Sequence, residues 1–251
     1  ICNKIIFYFV LCYVVKIGPI APAVPFISPC KWNDSGCIKD SAQKAITFFA
    51  DGIPEFNVNQ LDPMKIDNID ASSSNLKLLL TDTLLTGLKA CHSRRISRDI
   101  EKSKLYITVQ FDGELKATYD MHGNLFVLPI EGNGELKVKI DKMVIDVEVD
   151  LTDKVGKDGK KHWDIKGWKH TFELLDKCQV KFENLFPENE FFLLILLSLF
   201  AGKTTNDFIA SNGNEIIVEI GPPIVQVMVQ KVVQDVRNFF KKVPADELAL
   251  D

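Results

Sequence analysis

The chain has 251 residues, 46% of them apolar and 25% charged, with 30 basic against 34 acidic side chains. So apolar a composition excludes intrinsic disorder, because the chain can bury a sizeable core. The acidic balance argues against a nucleic-acid partner, which would need a basic field.

In chain order, residues 5–15 (IIFYFVLCYVV) form an unbroken apolar run behind Lys4, and Ala21-Pro22-Ala23 supplies the small-x-small pattern of a signal-peptidase site. The run is too short to span a bilayer. Residues 1–23 are therefore expected to be a cleaved signal peptide and residues 24–251 the mature domain, secreted and extracellular. Without Lys4 and Lys16 that domain carries 28 basic against 34 acidic side chains, a formal −6.

Four cysteines follow the leader: Cys30, Cys37, Cys91 and Cys178. Four thiols allow three pairings. The turn-rich KWNDSG between Cys30 and Cys37 favours a bridge between those two, and the lack of a second Cys or His pair at finger-like spacing argues against metal. Cys91 and Cys178 either pair or stay buried and free. Asn33-Asp34-Ser35 is a glycosylation sequon inside the short loop.

Ala42, Ala45, Ile46, Phe48 and Phe49 recur at helical intervals, predicting a first helix over Asp40–Asp51 that ends at Gly52 and Pro54. Residues 61–80 read as short strands. From Ser103 the period becomes two: Leu105, Ile107, Val109 and Phe111 share one face and Tyr106, Thr108 and Gln110 the other. Asp112-Gly113 punctuates this strand, and the next, Glu114–Asp120, is expected to turn at His122-Gly123-Asn124 and again at Gly132-Asn133-Gly134. A long strand, Glu135–Leu151, then changes phase at Lys142-Met143, which predicts a bulge or bend. Residues 154–161 (KVGKDGKK) suit a hairpin tip, before strands at Trp163–Trp168 and Thr171–Phe182. Pro222 and Pro223 open a segment with Val225, Met228, Val229, Val232, Val233, Val236, Phe239 and Phe240 at helical intervals, an amphipathic helix of about twenty residues. Its polar face is not cation-rich, so core packing is preferred to membrane binding. The run Phe191–Phe200 (FFLLILLSLF) reads as a buried helix, or else as an apolar lip.

No catalytic constellation emerges. The four histidines lack i, i+4 partners, and there is no nucleophile elbow, phosphate loop or H-E-x-x-H helix. An enzyme is not expected, nor is a cofactor or a metal. What remains is a curved sheet and two helices with apolar faces, an arrangement suited to an elongated apolar ligand. The candidate ligand-binding residues are Phe48, Phe49, Tyr106, Phe111, Tyr119, Phe126, Trp163, Val229, Val233 and Phe240. Tyr106, Tyr119, Trp163 and Trp168 add polar tips able to orient a ligand.

The Cys30–Cys37 pair, GIPEFNVNQLDPMKI at 52–66, YDMHGNLFVLPIEGNGELKV at 119–138 and KKVPADEL at 241–248 together resemble the insect takeout and juvenile-hormone-binding protein family, over about Pro29 to Leu248. The resemblance implies an α+β fold. In it a long C-terminal helix is wrapped by a strongly curved antiparallel sheet, a super-roll related to the bactericidal/permeability-increasing lipid-binding proteins. It further implies a secreted monomeric carrier of haemolymph or chemosensory fluid, with an internal tunnel for juvenile hormone, another terpenoid or a fatty acid. On this reading the first helix is a lid at the tunnel entrance, its position fixed by the disulfide, and stable membrane insertion is not expected. The alternative is a lipid-transfer or membrane-docking protein using Phe191–Phe200. Two departures stand out. That apolar run replaces a polar stretch after Leu185-Phe186, and no cysteine follows Cys178 to complete a second bridge, which is either missing or rerouted to Cys91. The second departure points to the takeout-like branch.

Overall fold

The computed structural model describes residues 24–126, 128–187 and 209–250. The leader and the Phe191–Phe200 run lie outside them. Helix α1 (Ser35–Asp51) begins five residues before the predicted start, because the Asp34 carboxylate accepts from the Cys37 amide at 3.0 Å and caps it. Cys37 therefore sits in the first helical turn, bridged to Cys30 with the two Cα atoms 5.8 Å apart.

Eight strands follow: β1 (Met64–Asp70), β2 (Leu76–Thr86), β3 (His92–Asp99), β4 (Lys104–Leu125), β5 (Leu128–Val155), β6 (Lys161–Leu174), β7 (Gln179–Phe182) and β8 (Leu185–Pro187). All pair antiparallel in one sheet ordered β1-β2-β4-β5-β6, with β3 on β4 and both β7 and β8 on β5. The two central strands, 22 and 28 residues long, serve two half-sheets. One half joins β1, β2, the C-terminal part of β4, the N-terminal part of β5, β7 and β8. The other joins β3, the N-terminal part of β4, the C-terminal part of β5 and β6.

The halves meet at the predicted bend. Phe111 pairs with Met143 and Gly113 with Ile140, so Asp112 faces two residues, Asp141 and Lys142, and Lys142 adopts φ 51°. This bulge turns the sheet through its corner, and Asp112 secures it by accepting from the Lys142 amide at 2.7 Å.

Two expected turns are instead continuous strand. His122-Gly123-Asn124 lies inside β4 and Gly132-Asn133-Gly134 inside β5. The physical reason is close backbone approach rather than chain reversal. A Cβ on Gly132 would stand 2.5 Å from the Asn184 carbonyl oxygen and 2.8 Å from the Tyr119 hydroxyl. The reversal comes later, at Phe126, as β4 gives way to β5. Similarly, the expected strand Thr171–Phe182 divides, its first part completing β6 and its last part forming β7 against β5.

Helix α2 (Gly213–Lys242) is 30 residues long and carries Pro222 and Pro223 in its interior, where the sequence pattern had placed them at its start. The prolines withdraw the donors that Val218 and Glu219 carbonyls would have met. Both of those residues lie on the exposed face, so water can satisfy the freed oxygens. The opposite face, with Ile216, Ile217, Ile220, Ile224, Val225, Met228 and Val229 all buried, runs unbroken past the prolines. Each fully buried aliphatic side chain contributes about 1.5–3 kcal/mol, and this burial holds a helix rich in β-branched residues. By length and composition α2 could also cross a bilayer, but here its apolar face is the centre of the core.

Three polar residues on α2 fasten the segment 54–60. Asn59 Nδ2 donates to Asp235 Oδ1 at 2.8 Å, Asn238 Nδ2 donates to the Asn57 carbonyl at 3.0 Å, and Lys242 Nζ donates to the Glu55 carbonyl at 2.7 Å. At the same C-terminal end of the helix, His162 joins the β5–β6 tip to it, with Nδ1 3.1 Å from the Phe240 carbonyl and Nε2 3.1 Å from Asp158 Oδ2.

Candidate functional site

The two half-sheets are filled differently. In the first, Tyr119, Leu136, Phe182 and Ile216 are almost fully buried. In the second, α1, α2 and the concave face of β3–β6 enclose a cavity of about 360 Å³, within the range of small-molecule sites. From Met228 to Phe240 it follows α2 for about 18 Å, at 1.5 Å per helical residue.

Apart from β3, the walls come from readable patterns. The alternation in β4 points Leu105, Ile107, Val109 and Phe111 inward, and β5 contributes Ile145, Val147 and Val149. The period-3.6 face of α2 supplies Val229, Val232, Val233 and Val236, while α1 supplies Ala42, Ala45, Ile46 and Phe49. Trp163 and Ile165 of β6 close the far side.

Helix α1 is the cover and is tied along its length. The disulfide holds its first turn to Cys30, which itself bridges to Ala249 and accepts from the Leu250 amide at 3.0 Å. Midway, Gln43 Nε2 donates to the Cys91 carbonyl at 2.9 Å and Gln43 Oε1 accepts from the Ser93 amide at 2.7 Å. At the end, Lys89 Nζ pairs with Asp51 Oδ1 at 2.6 Å.

Polar lining is sparse. Ser41 Oγ accepts from the Ser28 amide at 2.9 Å. Arg98 of β3 is the single charged residue among the described lining residues, and its guanidinium carbon sits 4.6 Å from the Trp163 ring centroid. Cys91 also faces the cavity, free and buried, and burial pushes its thiol up to about 12. Cys178 is likewise free and buried, so the rerouted bridge between the two is not formed.

Of the ten candidate residues, Phe49, Phe111, Trp163, Val229, Val233 and Phe240 line the cavity. Four lie elsewhere. Phe48 is 47% exposed on the outer side of α1, stacked on Phe26 with centroids 4.4 Å apart. Tyr106 has the opposite parity to Leu105 and Ile107 on β4 and so stands on the other face. Tyr119 is buried in the filled half, its hydroxyl donating to the Glu183 carbonyl at 2.5 Å; burial first, and the Glu183 charge second, push it up to about 12. Phe126 is exposed at the β4–β5 turn. Trp168, proposed as a polar tip, is also off the cavity.

Arg98 was not among the candidates. Its strand, HSRRISRD, has a single large apolar residue and carries no visible period, because its outer face is solvated and its inner face offers Ile96 and Arg98. The parity shared by Ile96 and Arg98 was the one signal available.

A curled antiparallel sheet closes over a long C-terminal helix, with an apolar-lined cavity between them. The sequence model of haemolymph juvenile hormone binding protein matches residues 7–250, and the chain belongs to that family. The family takes its name from a haemolymph protein that binds juvenile hormone. The chain is 26% identical in sequence to Takeout 1 of Epiphyas postvittana, whose crystal structure superposes with a TM-score of 0.78 over 90% of this chain and 100% of that one. It is also similar to the circadian clock-controlled protein daywake, at 25% identity for the Drosophila melanogaster protein and 27% for that of Drosophila yakuba. Each of these matches spans 174 residues, covering 64% of this chain and 66% of the relative's length.

Proposed function

We propose that the protein is a secreted, monomeric, non-enzymatic carrier that holds an elongated hydrophobic ligand, juvenile hormone or another terpenoid or lipid, in the cavity between α1, α2 and β3–β6. The observation that carries this reading is the contrast between the half-sheets: side chains fill one, while the other surrounds about 360 Å³ with an almost wholly apolar wall. Removing apolar ligand surface from water at about 25 cal/mol per Å² drives binding. Phe49, Phe111, Trp163, Val229, Val233 and Phe240 are the contacts we assign. Secretion accords with the leader, the Cys30–Cys37 bridge and the family, and in this role α1 is the entrance cover.

Native mass spectrometry of protein purified from a eukaryotic secretion host, with organic extraction of the same sample, tests the reading. A co-purifying lipid or terpenoid, or saturable uptake of a fluorescent fatty acid, is expected. A chain that neither carries nor takes up any such molecule is not a carrier.

A further inference from the structure

The inner stripe of α1 consists of Ile38, Ser41, Ala42, Ala45, Ile46 and Phe49, which recur at helical intervals and line the cavity. Ser41 is the one polar member of that stripe, and at 7% exposure it is cut off from bulk water. A serine hydroxyl carries one donor and two acceptor sites. Ser41 Oγ accepts from the Ser28 amide at 2.9 Å, which pins the segment before Cys30 to the cover. Its O–H meets no acceptor among the described residues: the usual resort of a helical serine, the carbonyl four positions back, here that of Cys37, is not taken. A buried donor left unmet costs about 1–3 kcal/mol. Ser28 also lines the cavity, but it is exposed, so water can serve its own hydroxyl. Arg98 offers no comparable opening, since it is engaged over Trp163 and by a further partner.

We propose that Ser41 selects and orients ligands bearing an uncharged carbonyl or ether oxygen, to which its hydroxyl donates, so that the occupant is an oxygenated lipid or terpenoid and not a plain hydrocarbon. The proposal rests on the carrier reading and narrows it. Taking such an oxygen out of water is unfavourable unless a donor meets it, and Ser41 places one in the lining. The site also sets the direction of the ligand. Helix α1 runs from Cys37, bridged to Cys30, to Asp51, paired with Lys89. Gly87, two residues before Lys89, lies against the Asp112 backbone at the sheet bend. The oxygenated end therefore lies beneath the first half of the cover, and the hydrocarbon extends toward Phe49 and Phe111.

The test uses methyl undecyl ketone and its alkene isostere, in which C=CH2 replaces C=O, each displacing the neutral dye phenyl-naphthylamine from the protein. The two ligands differ in hydration, so the readout is the effect of Ser41→Ala on each, in which hydration cancels. Ser41→Ala is expected to weaken the ketone about 3- to 10-fold, the worth of one hydrogen bond, and to leave the alkene within about twofold. A second arm needs no variant to fold: infrared spectroscopy of the isotope-labelled ketone bound to wild type should place its carbonyl band below the position found in alkane solution, as a carbonyl that accepts a hydrogen bond does. In Ser41→Ala that displacement should vanish. Equal weakening of ketone and alkene, no weakening of either, a wild-type band at the alkane position, or a displaced band that survives in Ser41→Ala because water supplies the donor overturns the proposal. Failure of the dye and both ligands to bind wild type removes the carrier reading itself, whereas binding that is indifferent to Ser41 leaves that reading standing and discards only the role of Ser41.

Discussion

Asn59 and Asp235, 176 positions apart in sequence, meet side chain to side chain at 2.8 Å and lock the segment after α1 onto the C-terminal third of α2. Asp235 is 1% exposed, and its second carboxylate oxygen has no hydrogen-bond partner among the described residues. Burial raises its pKa above the ordinary value, and hydrogen bonds from Asn59 oppose this only in part.

The sign of the pH dependence follows. A raised folded pKa means that this group's stabilisation is complete below its unfolded value, about 3.9, and is lost as pH rises through the folded value. Asp235→Asn cannot titrate. The melting temperature of wild type minus that of Asp235→Asn should therefore fall between about pH 4 and about pH 8. A difference that stays level or grows would show that the carboxylate is not destabilised by burial.

The two half-sheets should respond oppositely to mutation. Val233→Phe projects extra volume into the cavity, so ligand affinity should drop about 10-fold or more, with stability changed by less than the roughly 1–3 kcal/mol of an overpacked core. Leu136→Ala, in the filled half at 0% exposure, should cost about 2–5 kcal/mol while leaving affinity intact. Paired calorimetry and ligand titration decide this, and a Val233→Phe variant that binds normally would place the ligand elsewhere.

Cover release offers a kinetic prediction. Replacing Cys30 and Cys37 by serine removes a short loop closure, a loss of about 2–3 kcal/mol. Because the bridge and the Cys30–Leu250 hydrogen bond position α1, ligand off-rates should rise while far-ultraviolet circular dichroism stays that of the wild type. Gln43→Ala, cutting the two bonds from α1 to Cys91 and Ser93, should act in the same direction. Stopped-flow displacement measures both, and unchanged off-rates would mean that ligand leaves by another route.

The thiol of Cys91 supplies a chemical readout of the closed cover. With its pKa pushed up to about 12 by burial, almost no thiolate exists near neutrality. Intact-mass analysis should find Cys91 unalkylated by iodoacetamide in the native protein and alkylated in denaturant. Rapid native labelling would contradict the enclosed position.

Much of this architecture was legible. The period-two run Leu105–Phe111, the phase slip at Lys142-Met143 and the helical valines of 225–236 each report a local rule: alternation on a pleat, a bulge where alternation breaks, a 3.6-residue stripe on a helix. The glycines of 123 and 132–134 misled because the residue that permits a turn also permits a neighbouring backbone to come close, and only the Asn184 carbonyl beside Gly132 distinguishes the two. Pro222 and Pro223 misled because proline opens helices locally, whereas burial of Ile216 to Ile220 extends this one past them.

The sequence by itself determined the disulfide bridge, the two helices, the bent antiparallel sheet and the apolar parity of the faces that Phe111, Val229 and Val233 share, because each depends on spacing within a short segment. Only the tertiary structure decided which apolar residues enclose space and which fill it. Tyr119 and Phe111 belong to the same strand and both are buried, yet one packs against Phe182 and the other faces the cavity. It alone brought Arg98 from a polar, aperiodic edge strand onto Trp163, since that contact depends on how far the sheet curls.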